Sequence, residues 1–210
     1  MADFYFRKLT VTGADKKLSE VEFKEGLNIV FGPSNTGKSY IIECIDYLFG
    51  ADGIRFDATT GYDTFELLID SDKGCVTIQR KQGSNVIFVS SERPDIESGE
   101  YASKWRKDSN KMDISSVWLR LIGIIENHEI IKNSRRDKIR LTLRLFSHIF
   151  LIKETAVLKE GSIIAPIQNT VESATFSSLY FLLTGEDFAD STPKEEKKIR
   201  EAKKRQLSPI

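Results

Sequence analysis

The sequence predicts an α/β fold: a mixed sheet extended by an antiparallel meander, helices beside it, and a phosphate-binding loop near the start. Three observations carry that prediction. Gly32-Pro33-Ser34-Asn35-Thr36-Gly37-Lys38-Ser39 is a complete G-x-x-x-x-G-K-[ST] pattern set between an apolar run and an amphipathic one. Three β-rich runs follow residue 60, separated by turn residues. Later apolar segments carry helix start and stop signals, one of them closed by Gly185.

Taken in order, Phe4 to Thr12 alternates well enough for a first strand, and Val21-Glu22-Phe23 makes a short second one. Lys24-Glu25-Gly26 then turns into Leu27-Asn28-Ile29-Val30-Phe31, whose length and β-branched content predict a buried strand leading into the phosphate loop. Ser39 to Phe49 has apolar residues at 41, 42, 45, 48 and 49, which predicts a helix with Gly50 as its C-cap. Thr64 to Asp70, Cys75 to Arg80 and Asn85 to Ser90 read as the meander, joined by Ser71-Asp72-Lys73-Gly74 and Lys81-Gln82-Gly83-Ser84. Glu92 to Asn110 is polar and charged, and reads as a solvated excursion. Ile114 to Ile125 is expected to be helical from a cap at Asp113.

Ile131 to Arg144 holds the densest basic patch before the tail, with Lys132, Arg135, Arg136, Lys138, Arg140 and Arg144 against Asp137 alone. Thr142 to Ile152 is strongly apolar, and Ser173 to Leu183 predicts a helix. Thr192-Pro193-Lys194-Glu195 is a helix-start signature. The charged helix it opens has only Ile199, Ala202 and Leu207 as apolar residues, so it is either a solvated tail or the root of a coiled coil. The expected organisation is a lobe over residues 1–190 and a charged helix over 191–210.

Composition narrows the partners. The 31 basic and 31 acidic residues cancel, so no global field recruits nucleic acid or anionic lipid, and local patches must do so. The two cysteines, Cys44 and Cys75, form no C-x-x-C pair, which fits a reducing, cytoplasmic setting. No run approaches the ~18 apolar residues that span a bilayer, and the start lacks the order of a signal peptide, so no membrane is expected.

The phosphate loop carries the chemistry. Its glycines let backbone N–H groups turn inward around β- and γ-phosphate oxygens at the positive end of the following helix. Residues Gly32, Pro33, Ser34, Asn35, Thr36, Gly37, Lys38, Ser39 and Tyr40 are therefore the expected nucleotide-binding set, with Lys38 as the catalytic cation and the Ser39 hydroxyl on Mg²⁺. Several other features are decoys. Asn110-Lys111-Met112-Asp113 spells a guanine-specificity motif, but it follows a polar run, not an apolar strand, and Asp113 reads as a helix cap. Leu67-Leu68-Ile69-Asp70 imitates a Mg²⁺-binding strand but fits a hairpin. His128 and His148 stand without carboxylates or cysteines at ligand spacing.

The order of strand, short strand, Gly26-to-Ser39 segment, helix ending Ile45-Asp46-Tyr47-Leu48-Phe49-Gly50, meander closing in Val76-Thr77-Ile78-Gln79-Arg80, and Phe181-Leu182-Leu183-Thr184-Gly185 before a charged helix resembles the N-terminal lobe of SMC/RecN/RecF-type (ABC-class) ATPases. The wording of the phosphate loop is most similar to bacterial AAA-type relatives, several of them associated with anti-phage defence. The resemblance implies ATP and Mg²⁺ as cofactors and an ABC ATPase head of which this chain is the N-terminal half. It also implies ATP sandwiched against a second head, with the signature and Asp-Glu motifs supplied by a C-terminal lobe, and neither motif occurs here. The family's glutamine loop would fall at Lys153-Glu154, so Glu154 is the implied second metal ligand, and a surface glutamate is the alternative. The family's DNA-facing surface would correspond to Lys132, Arg135, Arg136, Lys138 and Arg140, for which a solvated face is the alternative. A nuclease or other effector subunit is a further implied partner. Two other functions stay open: a self-contained small-molecule P-loop kinase of nucleoside type, and a non-hydrolysing nucleotide-gated interaction module.

Overall fold

The structure is a computed structural model that describes residues 4–54, 58–106, 110–152 and 172–188. The chain falls into two compact units, residues 1–125 with 142–144, and residues 126–141 with 145–210.

The first unit is built on six strands, β1 Phe4–Thr12, β2 Ser19–Glu22, β3 Thr64–Ser71, β4 Val76–Lys81, β5 Val86–Ser91 and β6 Gly99–Ala102. They form one sheet in the order β2-β1-β3-β4-β5-β6, and every pairing in it is antiparallel. Period-two patterning fixes which face is buried: Phe65, Leu67 and Ile69 of β3 face inward, as do Val76 and Ile78 of β4 and Ile87 and Val89 of β5. The helix α1, Lys38–Leu48, packs on this face through Cys44, Ile45, Tyr47 and Leu48. The Tyr47 ring meets Phe65 edge-on at 5.5 Å, and its hydroxyl donates to the Lys81 carbonyl at 2.9 Å. Beyond α1, Phe49 stacks edge-on against Trp118 at 4.3 Å, and the Trp118 indole N–H donates to the Leu48 carbonyl. Trp118 lies on helix α2, Ile114–Leu121, which starts where the Asp113 carboxylate accepts the Ser115 N–H at 3.1 Å, as its cap role requires.

Five expectations need correction. Among the described residues the six named strands pair only antiparallel, not as a mixed sheet, and the one parallel contact is an isolated bridge from Ala102 to Asp113. The reason lies in residues 27–31, which form no strand: Leu27, Ile29 and Phe31 are 87, 73 and 89 % exposed. A strand apolar on both faces, as Leu27, Ile29, Val30 and Phe31 would make it, needs neighbours on both edges, and among the described residues none pairs with it. Locally, the Asn28 amide is consumed in its own turn, accepting from the Lys24 N–H and donating to the Lys24 and Gly26 carbonyls. The polar stretch after Glu92 is no simple excursion, since it contains β6 and buries Arg93, Ile96 and Tyr101. Arg93 is held there by two hydrogen bonds to the Asp95 carboxylate, 3.0 and 2.7 Å, which hold that carboxyl below the usual range. Helix α2 ends at Leu121, ahead of Gly123 with its left-handed φ of 91°.

The second unit contains a two-stranded hairpin, β7 Glu129–Ile131 and β8 Lys138–Arg140, and helix α3, Glu172–Thr184, terminated by Gly185 at φ 75°. Two short 3₁₀ turns, Leu143–Leu145 and Ser147–Ile149, occupy the apolar run after 142, the first of them largely in the first unit. The last correction is His128, read as standing without a carboxylate or cysteine at ligand spacing. Its Nδ1 lies 2.9 Å from the Asp187 carboxylate and its ring 4.4 Å from Phe181, a pairing across 59 residues that no local spacing reveals. The charged helix expected over 191–210, and with it the coiled-coil root, lies outside the described residues.

Candidate functional site

Helix α1 starts at Lys38 on Gly37, which is its N-cap at φ 84° and ψ 7°, a conformation that a residue with a Cβ rarely adopts. Asn35 also takes a left-handed φ of 61°. These two positions curl residues 32–37 around the start of the helix, where the Tyr40 N–H donates to the Gly37 carbonyl at 2.9 Å and the N–H groups before it precede any intrahelical acceptor. The first turn carries no acidic residue that would compete for that positive end. The Lys38 ammonium folds back over the loop, 3.0 Å from the Gly32 carbonyl and 3.3 Å from the Thr36 hydroxyl, with a further bond to the Pro33 carbonyl. The Thr36 hydroxyl itself donates to Pro33 at 2.8 Å. Ser39 is exposed on the first turn of α1, with Tyr40 beside it.

This arrangement fits a polyphosphate. A cation and open N–H groups converge on a backbone concavity in which glycine supplies the conformation and no carboxylate intrudes. A bound phosphate would offer Lys38 oxygens in place of the loop carbonyls, and the Ser39 hydroxyl is a hard oxygen donor of the kind Mg²⁺ takes. Glu154 lies outside the described residues. Asp70 sits on the outward face of β3, where its carboxylate accepts from the Tyr5 hydroxyl at 3.1 Å and lies 3.8 Å from Arg7, as a hairpin position would have it. Among the described residues no cluster of three metal-ligating side chains occurs.

A cleft of about 420 Å³ opens beside the loop, running from Gly37 and Lys38 between α1 and the sheet. Its apolar walls include Leu9 and Val11 of β1, Ile41 and Cys44 of α1, and Val30 and Phe31 of the uncovered segment before the loop. Burial and the neighbouring Glu43 charge push the Cys44 thiol up to about 12, so it is a packing residue, not a nucleophile.

Two polar anchors at the helix went unforeseen. Arg80 is 1 % exposed, and its Nη1 donates to the carbonyls of Tyr47 and Ala51 at the C-terminal end of α1, 2.7 Å each. Asp46, also on α1, is paired with Arg144, which removes Arg144 from the basic patch. The signal for Arg80 was present: in Val76-Thr77-Ile78-Gln79-Arg80 it occupies the third inward position of an alternating strand.

In the second unit the remaining basic residues gather on the β7–β8 hairpin. Lys132, Arg135 and Arg136 are exposed at its tip, while Lys138 and Arg140 are half-buried along β8 and Lys138 lies 3.8 Å from Glu129. The tip is braced by Asn133, whose side chain accepts from the N–H groups of Arg135 and Asp137 and donates to the Asp137 carboxylate. Arg136 stands at a left-handed φ of 63°.

A family model described as AAA domain matches residues 6–208. No curated protein matches the chain.

Proposed function

The chain belongs to the AAA-domain family of P-loop ATPases, and on that premise we propose that it is the ATP-binding N-terminal half of an SMC/RecN-like head. In this reading ATP-driven dimerisation of heads is coupled to binding of double-stranded DNA in a repair or defence complex. The observation that carries the reading is the approach to the phosphate loop. Leu27, Ile29 and Phe31 lie bare on a segment patterned as a buried strand, directly ahead of Gly32. Covering each of them is worth about 1.5–3 kcal/mol, and a C-terminal lobe or second head that laid strands beside residues 27–31 would cover them while completing the nucleotide site.

The chemistry follows from what the chain holds. Loop N–H groups and Lys38 would stabilise charge on the β- and γ-phosphates, and Ser39 would hold Mg²⁺, the cofactor that ATPases of this family use with ATP. Catalysis of phosphoryl transfer is positioning plus charge stabilisation, so half of the stabilising parts gives binding with little turnover. The basic tip of the β7–β8 hairpin is the candidate DNA contact, through phosphates and therefore with steep salt dependence. Measured turnover decides the matter: the chain alone should bind ATP and hydrolyse it poorly, and a co-expressed C-terminal lobe with signature and Asp-Glu motifs should restore hydrolysis. Brisk ATPase activity from the chain alone would refute the reading.

A further inference from the structure

The tip of the β7–β8 hairpin holds its cations on a fixed frame. At the base Ile130 is fully buried, and the Leu141 N–H donates to the His128 carbonyl at 2.8 Å. At the far end the Lys132 N–H donates to the Asp137 carbonyl at 2.7 Å and the Arg136 N–H to the Asn133 carbonyl at 2.9 Å, which closes a tight turn. Inside that turn Arg136 takes its left-handed φ of 63°, a conformation that a Cβ opposes and that glycine would adopt freely. A long cationic side chain held at a strained position, where glycine would be cheaper, marks a place to look for function. Among the described residues neither Lys132 nor Arg136 takes part in an ion pair, and Arg135 meets only Asp137, its Nε 3.9 Å from that carboxylate. The tip therefore presents three exposed cations on a backbone that is already ordered.

Resting on the DNA reading above, we propose that Arg135 and Arg136 enter the minor groove of double-stranded DNA and read its width, while Lys132 lies on the flanking phosphates. The side chains present select the groove. The major groove, about 12 Å wide, is filled by a helix or a whole two-stranded ribbon and read by donors and acceptors matched to base edges. Here the cations sit at the end of the ribbon, and the carboxamide that could read adenine is consumed: Asn133 Oδ1 accepts from the Arg135 and Asp137 N–H groups, and its Nδ2 donates to the Asp137 carboxylate at 2.7 Å. What remains is a pair of planar, weakly hydrated guanidinium groups, suited to a slot about 6 Å wide. A-tracts narrow that slot further and deepen its negative potential, whereas a G·C pair places the guanine N2 amine in it. The tip should therefore favour A·T tracts without contacting the edges that tell A·T from T·A.

The test is fluorescence anisotropy of the whole chain with short labelled duplexes that carry an A-tract, a G·C run, or the same run with inosine for guanine. Inosine deletes the minor-groove amine and leaves the major-groove acceptors in place. The A-tract should bind about tenfold tighter than the G·C run, and inosine should recover most of the difference. Arg136→Lys keeps the charge, so the dependence of affinity on salt should stay, while the preference for the A-tract should shrink to within about threefold. Arg136→Gly relieves the turn, so it should melt no lower than the unmodified chain and still bind the A-tract about tenfold more weakly. Equal affinity for all duplexes, a preference for the G·C run that inosine leaves in place, or a preference that survives Arg136→Lys overturns the proposal. A chain that binds no duplex even at low salt refutes the DNA reading itself, and the groove proposal falls with it.

Discussion

Replacing Arg80 by methionine tests whether a buried cation fastens the phosphate-loop helix to the meander. The guanidinium donates three hydrogen bonds, two of 2.7 Å to Tyr47 and Ala51 and one of 2.9 Å from Nε to Ser84, and lies 3.8 Å from the centre of the Tyr47 ring. Hydrogen bonds from a charged donor contribute about 1.5–3 kcal/mol each, and the cation over the ring adds about 1–2. Against this stands the cost of taking a guanidinium out of water, several kcal/mol. That cost is visible here: burial holds the Arg80 pKa below its ordinary value, and Nη2 has no hydrogen-bond partner among the described residues. Methionine keeps the aliphatic stem, recovers the desolvation cost and strands carbonyls at a helix end where positive charge is favoured. The balance is a net loss of about 2–4 kcal/mol. Both tryptophans, Trp105 and Trp118, lie in the same unit as Arg80, so their fluorescence follows its thermal unfolding. A drop in Tm of roughly 6–20 °C is expected for a unit of this size, with Arg80→Lys intermediate. A shift of less than about 3 °C, on the same scale, would refute the reasoning, because the bonds would then do no more than repay the burial of the charge.

Three further outcomes are expected. Lys38→Ala should weaken ATP binding by about a hundredfold or more, the loss of one well-placed charged contact, while leaving the thermal unfolding curve in place, since among the described residues the Lys38 ammonium bonds to the loop itself; calorimetric titration beside the melting curve checks both. Gly50→Ala should destabilise the first unit by about 2–4 kcal/mol, because φ is 98° and the new Cβ would stand 2.4 Å from the Ser103 carbonyl oxygen; denaturant titration reads it. Cys44 sets an alkaline limit: its folded-state pKa is raised from 9.0 to about 12, so its contribution is complete below pH 9 and is lost as pH rises toward 12. The decline in stability across that window should flatten in Cys44→Ala, as measured by urea unfolding at a series of pH values.

Much of the first unit was legible because its signals are local. The meander followed from alternation and turn residues, and β3, β4 and β5 begin and end within a residue of their expected limits. The Asp113 cap and the terminators Gly50 and Gly185 followed from backbone chemistry that a few residues decide. The basic stretch after Ile131 was legible as charge but not as shape: its turn depends on Asn133 bonding residues two and four positions on, with no glycine to announce it.

What the sequence determined by itself is the phosphate-loop motif, Gly32 to Ser39, helix α1 after it and the meander of β3, β4 and β5, because these rest on periodicity, capping and conformations that single residues impose. Tertiary structure decided the rest, since each of these outcomes depends on residues far apart in the chain. It turned the Arg80 guanidinium onto the end of α1, drew Arg144 out of the basic patch onto Asp46, and tied the Tyr62 hydroxyl to the Lys17 carbonyl across 45 residues. It also left Leu27, Ile29 and Phe31 uncovered. A strand's apolar pattern says that it can be buried, but only neighbouring strands can bury it.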